Sequence, residues 1–236
     1  FVLALVLFPE TRRADSTTRP RTLAPAAFVR VARHPVVGLC VVLTFVLTVA
    51  FAMMESTFTL FAEHARGLDA PQVGRMFGVA GVVMILVQGG LIRPLVKRFG
   101  EGPLVPVGIG ILTVGLALLP FAPPTVPMVA VFVVIAIGQG ISSPSLQALI
   151  SKGTSPDEQG FVLGTNQSMS ALARAIGPTI GGALYAGLAP SAPFLAASGV
   201  LGLSVFLALA AIRQRNAGLG QSGATSTASA AASSPD

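Results

Sequence analysis

The chain has 236 residues, of which 53% are hydrophobic and only 10% charged, where an ordinary soluble domain carries about 25% charge. A soluble fold of this size would need far more charge to cover its outside, so this composition, with a mean hydropathy of +0.79, points to lipid as the solvent. The net charge of +6 is not set on a basic surface interleaved with stacking aromatics, which excludes a nucleic-acid-binding module.

Taken in chain order, FVLALVLFPET opens without an initiator Met or the basic flank that a signal peptide needs. Residues 1–9 are therefore expected to be the tail of a truncated spanning helix, stopped at Pro9, with something upstream missing. A basic loop follows over residues 10–34, holding Arg12, Arg13, Arg19, Arg21, Arg30 and Arg33. Spanning about 30 Å of hydrocarbon takes roughly 20 apolar residues, and six stretches meet that length. Residues 36–61 carry one charge, Glu55, and residues 73–92 carry one, Arg75, beside their start. Residues 104–122, 126–150 and 192–212 carry none, and residues 161–188 carry only Arg174. Residues 35–212 are thus expected to form a six-helix transmembrane bundle. Turns such as PFAPPTVP and GLAPSAP, rich in Pro and Gly, suit helix ends, and no ten-residue alternation suggests a barrel. The Ser-, Ala-, Thr- and Gly-rich residues 213–236 are expected to be a disordered tail.

Twelve of the fifteen Lys and Arg residues fall on one side of the membrane by this topology, the opposite side holding Arg66 and Arg75. Cytoplasmic loops hold such an excess, so the long basic loop and the C terminus are expected in the cytoplasm, with the chain in a bacterial inner membrane.

Motifs for chemistry are absent. Cys40 is alone, and His34 and His64 flank the first full span on opposite sides, so no metal site is expected. Neither GxGxxG nor GxxxxGK[ST] occurs, nor GxSxG nor HExxH. No cofactor and no enzymatic activity are expected.

Polar groups inside the spans remain, and an ionisable side chain there suggests function by default. Arg174 lies about 20 Å from either end of its stretch at 1.5 Å per residue. At helical spacing Gln167, Ser170, Arg174, Gly177 and Gly181 share one face, while Met169, Leu172, Ile176 and Ile180 lie on another. Two readings of the first face stand side by side. It lines a wet pathway where Arg174 meets an anion, a carboxylate or a coupled proton; or it is a packing seam through Gly177, Pro178 and Gly181, with Arg174 paired structurally. Glu55, on a face with Thr44, Thr48 and Thr59, is the candidate partner of Arg174, although it sits near the interface. Gln88, Gln139, Ser142, Ser143, Gln147, Asn166 and Gln167 add hydrogen-bonding groups and suggest a binding cavity.

These residues resemble the C-terminal half of a major facilitator superfamily transporter. FPET (8–11) is similar to the end of that family's sixth helix. RPLVKRFGE (93–101) resembles its cytoplasmic loop motif at Pro94, Leu95, Arg98, Phe99 and Gly100, departing from it at Arg93 and Lys97. SPDEQGFVLGTNQS (155–168) and ARAIGPTIGGALY (173–185) are similar to the drug:proton antiporter branch, which includes tetracycline and multidrug exporters. The resemblance implies an all-α fold in which the spans are helices seven to twelve of twelve, built as two inverted three-helix repeats. It implies that helices seven, eight, ten and eleven line the cavity, placing Glu55, Gln88, Gln139 and Arg174 there. It also implies proton-coupled efflux of small lipophilic drugs or metabolites by alternating access, with protons, a small-molecule substrate, the bilayer and an N-terminal six-helix half as partners. A carrier for a sugar, organic acid or siderophore, or a non-transporting scaffold or sensor, stays as the alternative.

Overall fold

The computed structural model describes residue 31, residues 35–124, residues 126–206 and residue 209. The expected helix tail at 1–9, nearly all of the basic loop at 10–34, the end of the last span and the tail at 213–236 lie outside the described residues. Among the described residues all regular structure is helical.

Helix α1 spans Pro35–Arg66. It stops where Gly67 turns to φ 64°, with the Gly67 amide donating to the Glu63 carbonyl and the Leu68 amide to the Ala62 carbonyl. These nested bonds close the helix around a residue in the left-handed region, a conformation that glycine adopts without steric cost. Asp69 then starts the next helix at once through a capping box with Gln72: each backbone amide donates to the other's side chain, at 2.8 and 2.9 Å. The chain therefore reverses within three residues. Helix α2, Ala70–Phe99, is one rod interrupted by a π-helical turn at Val87–Leu91. It ends at Gly100, φ 75°, the glycine of the loop motif, from which α3 (Glu101–Phe121) departs. Helix α4 covers Val126–Lys152, α5 Gln159–Gly187 and α6 Ala192–Phe206.

By length and composition α1, α2, α3 and α4 suffice to cross a membrane. The sequence led us to expect six such spans, and the difference has two physical sources. Helix α5, at 29 residues, is long enough but too polar. Helix α6 is apolar but short within the described residues, its expected end lying beyond them.

Direction along the membrane axis is fixed at both ends. Arg66, closing α1, donates to the carbonyl of Pro120 at the end of α3. Glu101, opening α3, pairs with Lys152, closing α4, at 2.5 Å. We refer to these as the Pro120 end and the Lys152 end. Helices α1, α3 and α5 run toward the Pro120 end, and the others run back.

Exchanging α1 with α4, α2 with α5 and α3 with α6 relates the helix pairs that meet. Helix α4 packs closely on α3 and also on α2; α1 packs closely on α5 and meets α6 where Phe61 and Phe194 stack edge to face at 5.1 Å. Because α1 and α4 run oppositely, the two three-helix units are inverted repeats. Glycines permit the closest crossings. A Cβ on Gly138 would lie 2.5 Å from the Leu112 amide nitrogen and 2.8 Å from the Gly108 carbonyl, so α3 and α4 touch backbone to backbone. Near the Pro120 end, Phe58, Phe77 and Phe132 join α1, α2 and α4 with ring separations of 4.4 to 5.8 Å.

Candidate functional site

Helix α5 carries three distinct faces. Val162, Asn166, Ser170, Ala173, Gly177 and Gly181 are buried, and this strip seats on α1: a Cβ on Gly177 would come 2.7 Å from the Ala52 methyl, and one on Gly181 would come 3.2 Å from the Met53 carbonyl. Leu172 and Ile180 are exposed apolar residues on a second strip, as lipid requires. The third strip holds Gly164, Gln167, Ala171, Arg174 and Gly182, all exposed and all polar or small. A Cβ on Gly164 or Gly182 would meet nothing within 4 Å.

The structure thus divides the face expected from sequence. Ser170, Gly177 and Gly181 belong to the seam, as does Asn166; Gln167 and Arg174 belong to the open strip, and so does Pro178. The two readings of that face both find residues to carry them, about 100° apart around one helix.

Most polar groups in the spans need no ligand. The hydroxyls of Thr44, Thr48, Thr57, Ser142, Ser145 and Ser170 each donate to the carbonyl four residues back, at 2.7 to 3.0 Å. Ser142, expected in a wet interior, is instead fully buried beside Gly108 at the α3–α4 crossing. Two amides differ. The side-chain oxygens of Gln139 and Asn166 are buried and accept no hydrogen bond from the described residues, a state that costs about 1–3 kcal/mol unless a donor arrives.

Depth separates the candidates. Gln139 is the middle residue of α4, and Arg174 lies near the middle of α5, so each is about 20 Å from its helix ends. Gln88, exposed in the π turn of α2, sits toward the Lys152 end, and exposed Glu55 toward the Pro120 end. Glu55 is three residues beyond Ala52, and Arg174 three before Gly177, its neighbour across the seam. The two charges therefore differ by six residues of rise, about 9 Å. They form no ion pair, and Arg174 has no anionic partner among the described residues. Pro94, Arg98 and Gly100 lie at the Lys152 end, Arg98 with its guanidinium 5.4 Å from the Phe99 ring centroid. Sequence reasoning missed the aromatic triad, the π turn beneath Gln88 and the Glu101–Lys152 tie. The Gly89-Gly90 pair was the available signal for the turn.

Comparison with known proteins accords with this geometry. The profile described as Major Facilitator Superfamily matches residues 1–178 and, in a second placement, 91–234. The chain is 28% identical over 187 residues to "Tetracycline resistance protein, class C" of Escherichia coli, covering 78% of this chain and 47% of that protein. It is 27% identical over 156 residues to "Multidrug resistance protein 2" of Bacillus subtilis (strain 168), covering 64% and 38%. Among solved structures, the human organic anion transporter MFSD10 (TETRAN) superposes with a TM-score of 0.66 at 25% identity, over 73% of this chain and 40% of that one. The chain spans somewhat less than half the length of these relatives.

Proposed function

The chain belongs to the Major Facilitator Superfamily, and on that premise we propose that it supplies the helix seven-to-twelve half of a proton-coupled exporter of small lipophilic drugs or metabolites, working by alternating access. The observation that carries this reading is the open strip of α5: a mid-depth guanidinium without an anion among the described residues, flanked by Gln167 and by small residues, on the least apolar of the long helices. A charge left at that depth is expensive, so it faces either water or a ligand. In this reading Arg174 holds the anionic group of the solute or tunes a nearby carboxylate, and Gln167 and Gln139 offer hydrogen bonds at the same site. Glu55 is the intramembrane carboxylate of α1, and its protonation biases one open state against the other. The aromatic triad draws α1, α2 and α4 together near the Pro120 end while Gln88 and Gln147 stay exposed toward the Lys152 end. That shape suits a half open on the Lys152 side. With Arg93, Lys97, Arg98 and Lys152 there, this side is the cytoplasmic one, the membrane the bacterial inner membrane and the C terminus cytoplasmic.

Small organic anions are the second substrate class, favoured by the unpaired Arg174 itself. The relatives' names, tetracycline and multidrug resistance on one hand and organic anion transport on the other, support both classes.

The test uses the full-length protein in everted membrane vesicles, following uptake of lipophilic fluorescent drugs and of an anionic dye, with and without a protonophore. The expected result is uptake abolished by the protonophore and reduced about tenfold or more by Arg174→Ala, equivalent to about 1.4 kcal/mol, with Arg174→Lys recovering part. Unaltered uptake in a normally inserted Arg174→Ala variant would contradict the role given to Arg174. Absence of any protonophore-sensitive uptake would favour a scaffold or sensor.

A further inference from the structure

Away from the α5 strip, a groove of about 400 Å³ opens between α2 and α4 at the Pro120 end. Its composition is graded along the membrane axis. Helices α2 and α4 both run inward from that end, so Leu68, Gln72 and Val126 stand at the rim, Arg75, Met76 and Val129 one turn deeper, and Val79 at the bottom. Arg75 is the lone charge of the apolar part of α2, is exposed, and has no anionic partner among the described residues. Gln72 uses its side-chain oxygen in the capping box, accepting from the Asp69 amide, which leaves its NH₂ group free to donate outward. The lining below them is almost wholly apolar.

A binding site with donors at the rim, one guanidinium just beneath and a dry floor fits an amphiphile lying along the bilayer normal. The guanidinium rises toward the interface on its aliphatic stem, where its planar fork matches a phosphate. From this geometry we infer that the groove holds one phospholipid with an anionic headgroup, the phosphate on Arg75 and Gln72 and an acyl chain against Met76, Val79 and Val129. The charge complementarity selects the lipid class, because a zwitterionic lipid offers the same chain but no net negative charge to Arg75. The site is separate from Arg174, and it stands whatever the transported solute is.

The experiment titrates purified full-length protein with phosphatidylglycerol and with phosphatidylcholine of the same acyl chains, and counts retained lipid by native mass spectrometry. Wild type retains one phosphatidylglycerol about fivefold more tightly than phosphatidylcholine, the scale of one basic residue near anionic lipid. Arg75→Gln abolishes that preference, Arg75→Lys keeps most of it, and Arg93→Gln at the opposite end leaves it whole. Val79→Phe fills the floor and lowers retention of both lipids, with thermal unfolding in detergent unchanged. No preference in wild type, or a preference that survives both Arg75→Gln and Val79→Phe, would overturn the inference. So would displacement of the bound phosphatidylglycerol by a transported anionic dye, which would make the groove a substrate portal.

Discussion

Two helix crossings in this molecule are built with the same device and serve different ends. At α3–α4, Gly108 and Gly138 bring the backbones into contact, Ser142 is buried with its hydroxyl bonded back to the Gly138 carbonyl, and neither helix carries a charge within its apolar stretch. At α1–α5, Gly177 and Gly181 again mark the seam, a Cβ there coming 2.7 Å from the Ala52 methyl and 3.2 Å from the nearest α1 backbone atoms, but an exposed strip of α5 beside the seam carries Arg174 and Gln167. Glycine spacing therefore tells where helices meet and says nothing of function. What distinguishes α5 is the polar strip that its packing leaves free.

The largest effect expected from this comparison comes from filling the α3–α4 contact. Gly138→Val puts methyls where a Cβ alone already falls 2.5 Å from backbone that cannot swing aside, so a loss of about 3 kcal/mol or more, the upper range for overpacking, should appear as poor insertion or a collapsed melting temperature. Next is Gly177→Ala, which drives a methyl into Ala52 at 2.7 Å. A loss of about 1–2 kcal/mol in unfolding is expected, against almost none for Gly182→Ala on the open strip. Equal losses at these two glycines would erase the distinction between seam and strip. Arg174→Ala should reverse the pattern, costing transport about tenfold while leaving thermal unfolding unchanged, since its side chain is exposed and unpaired. Smallest is Glu101→Gln, which removes an ion pair with the exposed Lys152. A loss of under about 1 kcal/mol, shrinking further in high salt, is expected.

The spans were legible because lipid imposes a composition on long stretches, and α1 to α4 show it without interruption. Turn chemistry was legible at Gly100, where the motif's glycine adopts the positive φ that ends α2. Less legible was the division of α5. Residues three and four apart share a side of a helix to within about 60°, so Ser170, Arg174 and Gly177 looked like one face. Only contact with α1 shows that the boundary runs between Arg174 and its buried neighbours Ala173 and Gly177. Depth was legible for Arg174 and Glu55 one at a time, yet their vertical offset needed the register of the α1–α5 seam. The aromatic triad was invisible for another reason: Phe58, Phe77 and Phe132 come from three helices, and nothing local in the chain marks such a meeting.

The central claim is that the strip of α5 bearing Arg174 faces water while its other two faces do not. Single cysteines at Gln167, Ala171, Arg174 and Gly182, and in comparison at Leu172, Ala173, Ile176 and Gly177, would be placed in the full-length protein with buried Cys40 and any other cysteine replaced. Their reaction rates with a charged, water-soluble thiol reagent in native membranes are then compared. The account predicts rapid labelling confined to the first four positions and slowed by substrate. Uniform labelling along the helix, or labelling of the Leu172–Ile176 side in place of the Arg174 side, would contradict it.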